Sequence, residues 1–89
     1  MEYITVTTPS GFTAEIDQTA VDDIELLEDL SRLDQGDLLA VSSALKRLLG
    51  DKQKKALYDF CRDPETDRAS LTKVSKVMME LFTSEELKK

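Results

Sequence analysis

A mainly α fold, with an N-terminal β-hairpin followed by a compact bundle of about four short helices, is predicted by three observations on this 89-residue chain. Residues 3–16 alternate in polarity on both sides of a Pro-Ser-Gly turn. From Asp17 onward the apolar residues recur at helical spacing, in stretches closed by Gly36 and Gly50. The third observation is size: so short a chain buries only about 60 to 65% of its unfolded surface, so one core and one domain over residues 1–89 are expected.

The hairpin is built from Tyr3–Thr8, where Ile4, Val6 and Thr8 share one face, and Phe12–Ile16, where Phe12, Ala14 and Ile16 do. Thr8-Pro9-Ser10-Gly11 suits a type I turn, because proline presets φ at its second position and glycine accepts the positive φ that follows. An isolated hairpin is barely stable in water, so Ile4, Phe12 and Ile16 are expected to rest on the helices.

The first helix is placed at about 18–34, with Asp17 or Thr19 as its N-cap. Ile24, Leu26, Leu27, Leu30 and Leu33 gather into its apolar arc, while Asp22, Glu25, Glu28, Asp29 and Arg32 take the other side. Gly36 suits a left-handed C-terminal position, and Asp37 can cap a second helix at about 38–49 with the stripe Leu38, Val41, Ala44, Leu45, Leu48 and Leu49. Gly50 closes that helix and Asp51 caps a third at about 52–62, with Ala56, Leu57, Phe60 and Cys61 inward. Residues 63–69 have no apolar period and contain Pro64, which makes them the longest loop of the body. Ser70 caps a final helix at about 71–83, with Leu71, Val74, Val77, Met78, Leu81 and Phe82 on one face, and 84–89 form a charged tail expected to fray.

Composition removes whole classes of chemistry. There is no histidine, so the commonest general base and zinc ligand are missing, and the lone Cys61, on an apolar face, reads as a buried thiol. No nucleophile is paired with a base, no cofactor motif is present, and the expectation is a binding protein rather than an enzyme. Neither the acids of the first helix nor Asp34-Gln35-Gly36-Asp37 have the ligand spacing of a calcium loop, so no metal is expected. The longest apolar run, Leu38–Val41, is far too short to cross a bilayer, and no charged-then-apolar leader stands at Met1; the expected location is the cytoplasm.

Net charge is −6 and unevenly distributed: residues 1–37 hold ten acids against Arg32 alone, whereas 38–62 hold six bases and two acids. This asymmetry predicts that the basic second and third helices lie against the acidic first one, with self-association of acidic and basic surfaces as the alternative. Nucleic acid is an unfavoured partner, because the basic residues Lys46 to Arg62 sit in an acidic chain with few stacking rings. Two sets are candidates for partner binding. One is the soft apolar strip Met78, Met79, Leu81 and Phe82, extended by Leu87, which suits either the core or a groove for an apolar helix. The other is the acidic face at Asp22, Glu25 and Asp29.

Gly11-Phe12 and Ile16-Asp17 in a short hairpin, then Asp22-Asp23-Ile24-Glu25-Leu26-Leu27-Glu28, then Leu48-Leu49-Gly50-Asp51-Lys52-Gln53, then an acid-rich loop before a last helix: this order resembles the small tail assembly chaperones of long-tailed bacteriophages and prophages. The resemblance spans most of the chain and rests on caps and amphipathic stripes, not on a catalytic signature. It implies a mostly helical protein that acts in the infected or lysogenic bacterial cell, coats the tape measure protein, helps recruit tail tube subunits and is not retained in the mature virion. It also implies action in many copies, and a homo-oligomer would supplement so small a core. A second reading, from a different class, is a small cytoplasmic regulatory adaptor that binds nucleic acid or another protein through the basic 46–62 surface.

Overall fold

The computed structural model describes residues 3–84. Strands β1 (Tyr3–Thr7) and β2 (Thr13–Asp17) pair antiparallel with Val6 opposite Ala14 and Ile4 opposite Ile16. Val6, Phe12, Ala14 and Ile16 are buried, as period-two alternation requires. At the turn the Gly11 N–H donates to the Thr8 carbonyl at 2.9 Å and the Thr8 N–H to the Phe12 carbonyl at 2.8 Å. The buried Thr8 hydroxyl accepts the Phe12 N–H at 3.0 Å, and Gly11 takes φ 101°, where a Cβ would be strained.

The chain then enters a five-residue 3-10 turn, Gln18–Asp22, before helix α1 (Ile24–Asp34). The expected start of the first helix at 18 is therefore corrected, and the reason is a competition between aspartates. Asp17 caps the 3-10 turn through the Thr19 N–H, and Asp23 caps α1 by accepting the N–H groups of Glu25 and Leu26. Two caps six residues apart divide what periodicity alone would join. At the other end, the Gly36 N–H reaches the Leu33 carbonyl and the Asp37 N–H the Arg32 carbonyl, a Schellman closure with Gly36 at φ 94°.

Among the described residues there are three α-helices, not about four. The expected second and third helices run together as α2 (Ala40–Phe60), interrupted at Gly50, whose φ 80° and ψ 167° are not helical. Asp37 accepts the Leu39 N–H and shapes the turn that precedes α2, so α2 starts two residues later than expected and Leu38, placed in the core stripe from sequence, is exposed. Beyond Gly50, Leu57 and Cys61 are buried, but Ala56 and Phe60 are not; Phe60 instead tilts against Phe12 with ring centroids 5.5 Å apart.

The expected loop 63–69 is a tight hairpin. Arg62–Asp63 (β3) and Arg68–Ala69 (β4) pair antiparallel, the Asp67 N–H donates to the Asp63 carbonyl at 2.8 Å, and Arg62 Nη1 donates to the Asp67 carbonyl. Helix α3 (Leu71–Phe82) follows, with the Ser70 hydroxyl accepting the Lys73 N–H. Of the tail expected over 84–89, all but Ser84, and with it Leu87, lies outside the described residues.

A single cluster of buried side chains joins the hairpin and the helices, with Ile16, Leu45, Leu57, Met78, Leu81 and Val6 at its centre. The hairpin is fastened to α2 by Gln53. Its Oε1 accepts the Glu15 N–H at 2.7 Å, and its Nε2 donates to the Glu15 carbonyl at 2.6 Å and to the Leu49 carbonyl at 3.0 Å. One side-chain amide thus bonds both backbone groups of Glu15 on β2 and the Leu49 carbonyl beside the break at Gly50. Among the described residues no helix is long and apolar enough to cross a membrane.

Candidate functional site

Helix α1 carries the feature that distinguishes this molecule. By the usual rule its apolar arc should face α2 and α3. Instead, the side of α1 turned toward α2 includes Asp29, only 3% exposed, beside the buried Leu26. The Asp29 carboxylate accepts the Ser43 hydroxyl at 2.7 Å, lies 3.4 Å from Arg47 Nε and pairs with Arg32 Nη1 at 3.1 Å. Arg47 also reaches Glu25 at 3.0 Å. A buried carboxylate with these partners is fully satisfied, and it fixes the rotation of α1 about its own axis.

The consequence falls on the leucines. Ile24 and Leu27 are 67% and 60% exposed, and Leu30 and Leu33 are only half-buried. Leu27, Leu30 and Leu33 line an open groove whose far wall is α3. Its larger part, about 350 Å³, is lined by Leu30, Leu33, Asp34 and Leu38 on one side and Ser75, Met78, Met79 and Phe82 on the other. A second part, about 170 Å³, continues past Leu27, Val21 and Asp23, and Leu30 and Phe82 belong to both. Exposed apolar surface that is contiguous and concave marks a site of interaction with another molecule.

The residues expected to bind a partner divide under this geometry. Met79 is half exposed and Phe82 is partly buried, and both line the groove. Leu81 is fully buried and Met78 only 2% exposed, so they are core residues; Met78 contributes the floor of the groove and Leu81 offers no surface. The acidic set also divides. Asp29 is a buried internal anchor and offers no surface, whereas Glu25, paired with Arg47, and Asp22, at the end of the 3-10 turn and not on α1, are exposed. Leu27, Leu30 and Leu38 were read as core because a leucine at helical spacing usually is; Asp29 orients α1 so that Leu27 and Leu30 line the groove, and the Asp37 turn before α2 leaves Leu38 exposed.

The basic stretch is partly engaged by the protein itself. Arg47 binds Glu25 and Asp29, Arg62 binds Asp59 at 3.1 Å, and Lys54 stands 5.7 Å over the Tyr58 ring. Of the six bases expected to lie against the acidic first helix, Arg47 alone forms an ion pair with α1 among the described residues. Burial pushes the Cys61 thiol above its ordinary pKa, with nearby Lys73 opposing. Among the described residues no group of three or more acids or cysteines is placed to hold a metal ion.

No protein-family model, curated protein or solved structure matches the chain.

Proposed function

We propose that this chain is a non-catalytic protein-binding module of the tail assembly chaperone kind, which holds the helical tape measure protein of a long-tailed phage in the bacterial cytoplasm and helps recruit tail tube subunits to it. The observation that carries the reading is the apolar groove between α1 and α3, lined by the exposed Leu27 and Met79 and the half-buried Leu30 and Phe82. Methionine and leucine in a shallow groove suit a helical partner, because their unbranched or mobile side chains adapt to a repeating apolar stripe. The order of caps and stripes from Gly11 to Gln53 supports the same reading. Along a long tape measure the module would act in many copies.

The test is co-expression with the tape measure protein encoded beside it. The expected outcome is a rise in soluble tape measure protein and its co-purification with the chain, both lost on Leu27→Glu or Met79→Glu. Unchanged solubility with no co-purification overturns the proposal.

A further inference from the structure

Along α1 the row Asp23, Leu27, Leu30, Asp34 follows spacings of four, three and four residues, and all four side chains line the groove. Two leucines therefore lie between two carboxylates. The facing wall on α3, Ser75, Met79 and Phe82, is uncharged, and no lysine or arginine is among the residues that line either part. Arg47 on α2 is engaged by Glu25 and Asp29, and Arg32 on α1 by Asp29. A guest in the groove meets apolar surface in the middle and a negative charge toward each end, about 16 Å apart at the rise of an α-helix.

The geometry points to one occupant: an amphipathic helix of about three turns, presented by another protein, whose apolar stripe is bracketed by a lysine or arginine at each end. This rests on the groove being the gripping surface and specifies what it grips. The bracket is unequal. The negative end of the α1 dipole adds to Asp34, whereas the positive end offsets Asp23, so the cation beside Asp34 contributes more. A second copy docked groove to groove would set Asp23 and Asp34 against their own kind, which charge disfavours.

The full chain is titrated against two fluorescein-labelled helical peptides of about 14 residues that share one leucine and phenylalanine stripe and differ only in having lysine or glutamate at the flanks. Fluorescence anisotropy is expected to show the lysine peptide binding about five- to tenfold tighter at low ionic strength, an advantage that shrinks with added salt. Asp34→Lys, at an exposed helix end, should remove most of that advantage, and Asp34→Asn serves if it fails to fold. Equal affinity for the two peptides overturns the charge bracket and leaves the groove standing. Binding of neither peptide, together with tape measure co-purification that Leu27→Glu does not disturb, overturns the groove as gripping surface. A light-scattering mass of a dimer that Leu27→Glu returns to a monomer assigns the groove to a second copy and also overturns the inference.

Discussion

Helices α3 and α1 carry the same kind of apolar stripe and meet opposite fates. In α3 the stripe Val74, Val77, Met78 and Leu81 lies in the core. In α1 only Leu26 is buried, and Ile24 and Leu27 stand in solvent. What separates them is a polar contact: α3 has no buried carboxylate to satisfy, whereas α1 has Asp29 in the contact with α2, held by Ser43 and Arg47. Directional hydrogen bonds fix where a helix face points, while hydrophobic burial, being non-directional, accepts any rotation that covers enough area. An exposed stripe beside a satisfied buried acid is therefore an arrangement the fold maintains.

The widest gap between the two helices should appear on truncating one leucine in each. Leu81→Ala leaves a void in the core and is expected to cost about 2 to 5 kcal/mol in urea denaturation. Leu27→Ala should stay within about 0.5 kcal/mol and yet weaken capture of the helical partner. A comparable loss for the two variants would show that Leu27 is packed in solution.

The next effect concerns the anchor. Asp29→Ala leaves the Ser43 hydroxyl without its acceptor and Arg47 with Glu25 alone, at an expected cost of about 1 to 3 kcal/mol. The paired change Asp29→Leu with Ser43→Ala should recover much of it, because no polar group is then stranded, while partner binding declines as α1 is freed to turn its leucines inward. Urea melts and partner capture on the two variants check this; unchanged binding in the paired variant would detach the groove from the anchor.

The smallest effect is at the entry to α1. The Asp17 carboxyl is held below its ordinary pKa of 3.8 by hydrogen bonds from the Thr19 N–H and hydroxyl. Its folded value being depressed, the unfolded chain binds the proton more readily, so the contribution is fully present above about pH 3.8 and is lost as pH falls through the folded value. Thermal melts of the wild type and Asp17→Asn should converge in that acid range, and a difference that persists there would assign the effect to another group.

Much of this architecture is legible in the residues. Period-two alternation identified both inward faces of the hairpin, Pro9 and Gly11 located its turn, and Ser70 located the start of α3. Three features escaped for stated physical reasons. Capping energies of neighbouring aspartates are similar, so sequence could not tell that Asp17 and Asp23 each close their own turn. The β3–β4 ladder is held by Arg62 and Asp67 backbone contacts that carry no apolar period. The orientation of α1 depends on a pairing between Asp29 and Ser43 across two helices, which no pattern within one helix can reveal. Hence Met79 and Phe82, which line the groove, were legible as candidates, and the leucines opposite them were read as core.

The amide of Gln53 also decides how the hairpin can behave among many copies. An uncovered strand is a template on which a neighbouring chain can add, and such growth leads to fibres. By bonding both backbone groups of Glu15, Gln53 occupies the outer side of β2 at its midpoint. Any sheet extension is thereby confined to β1.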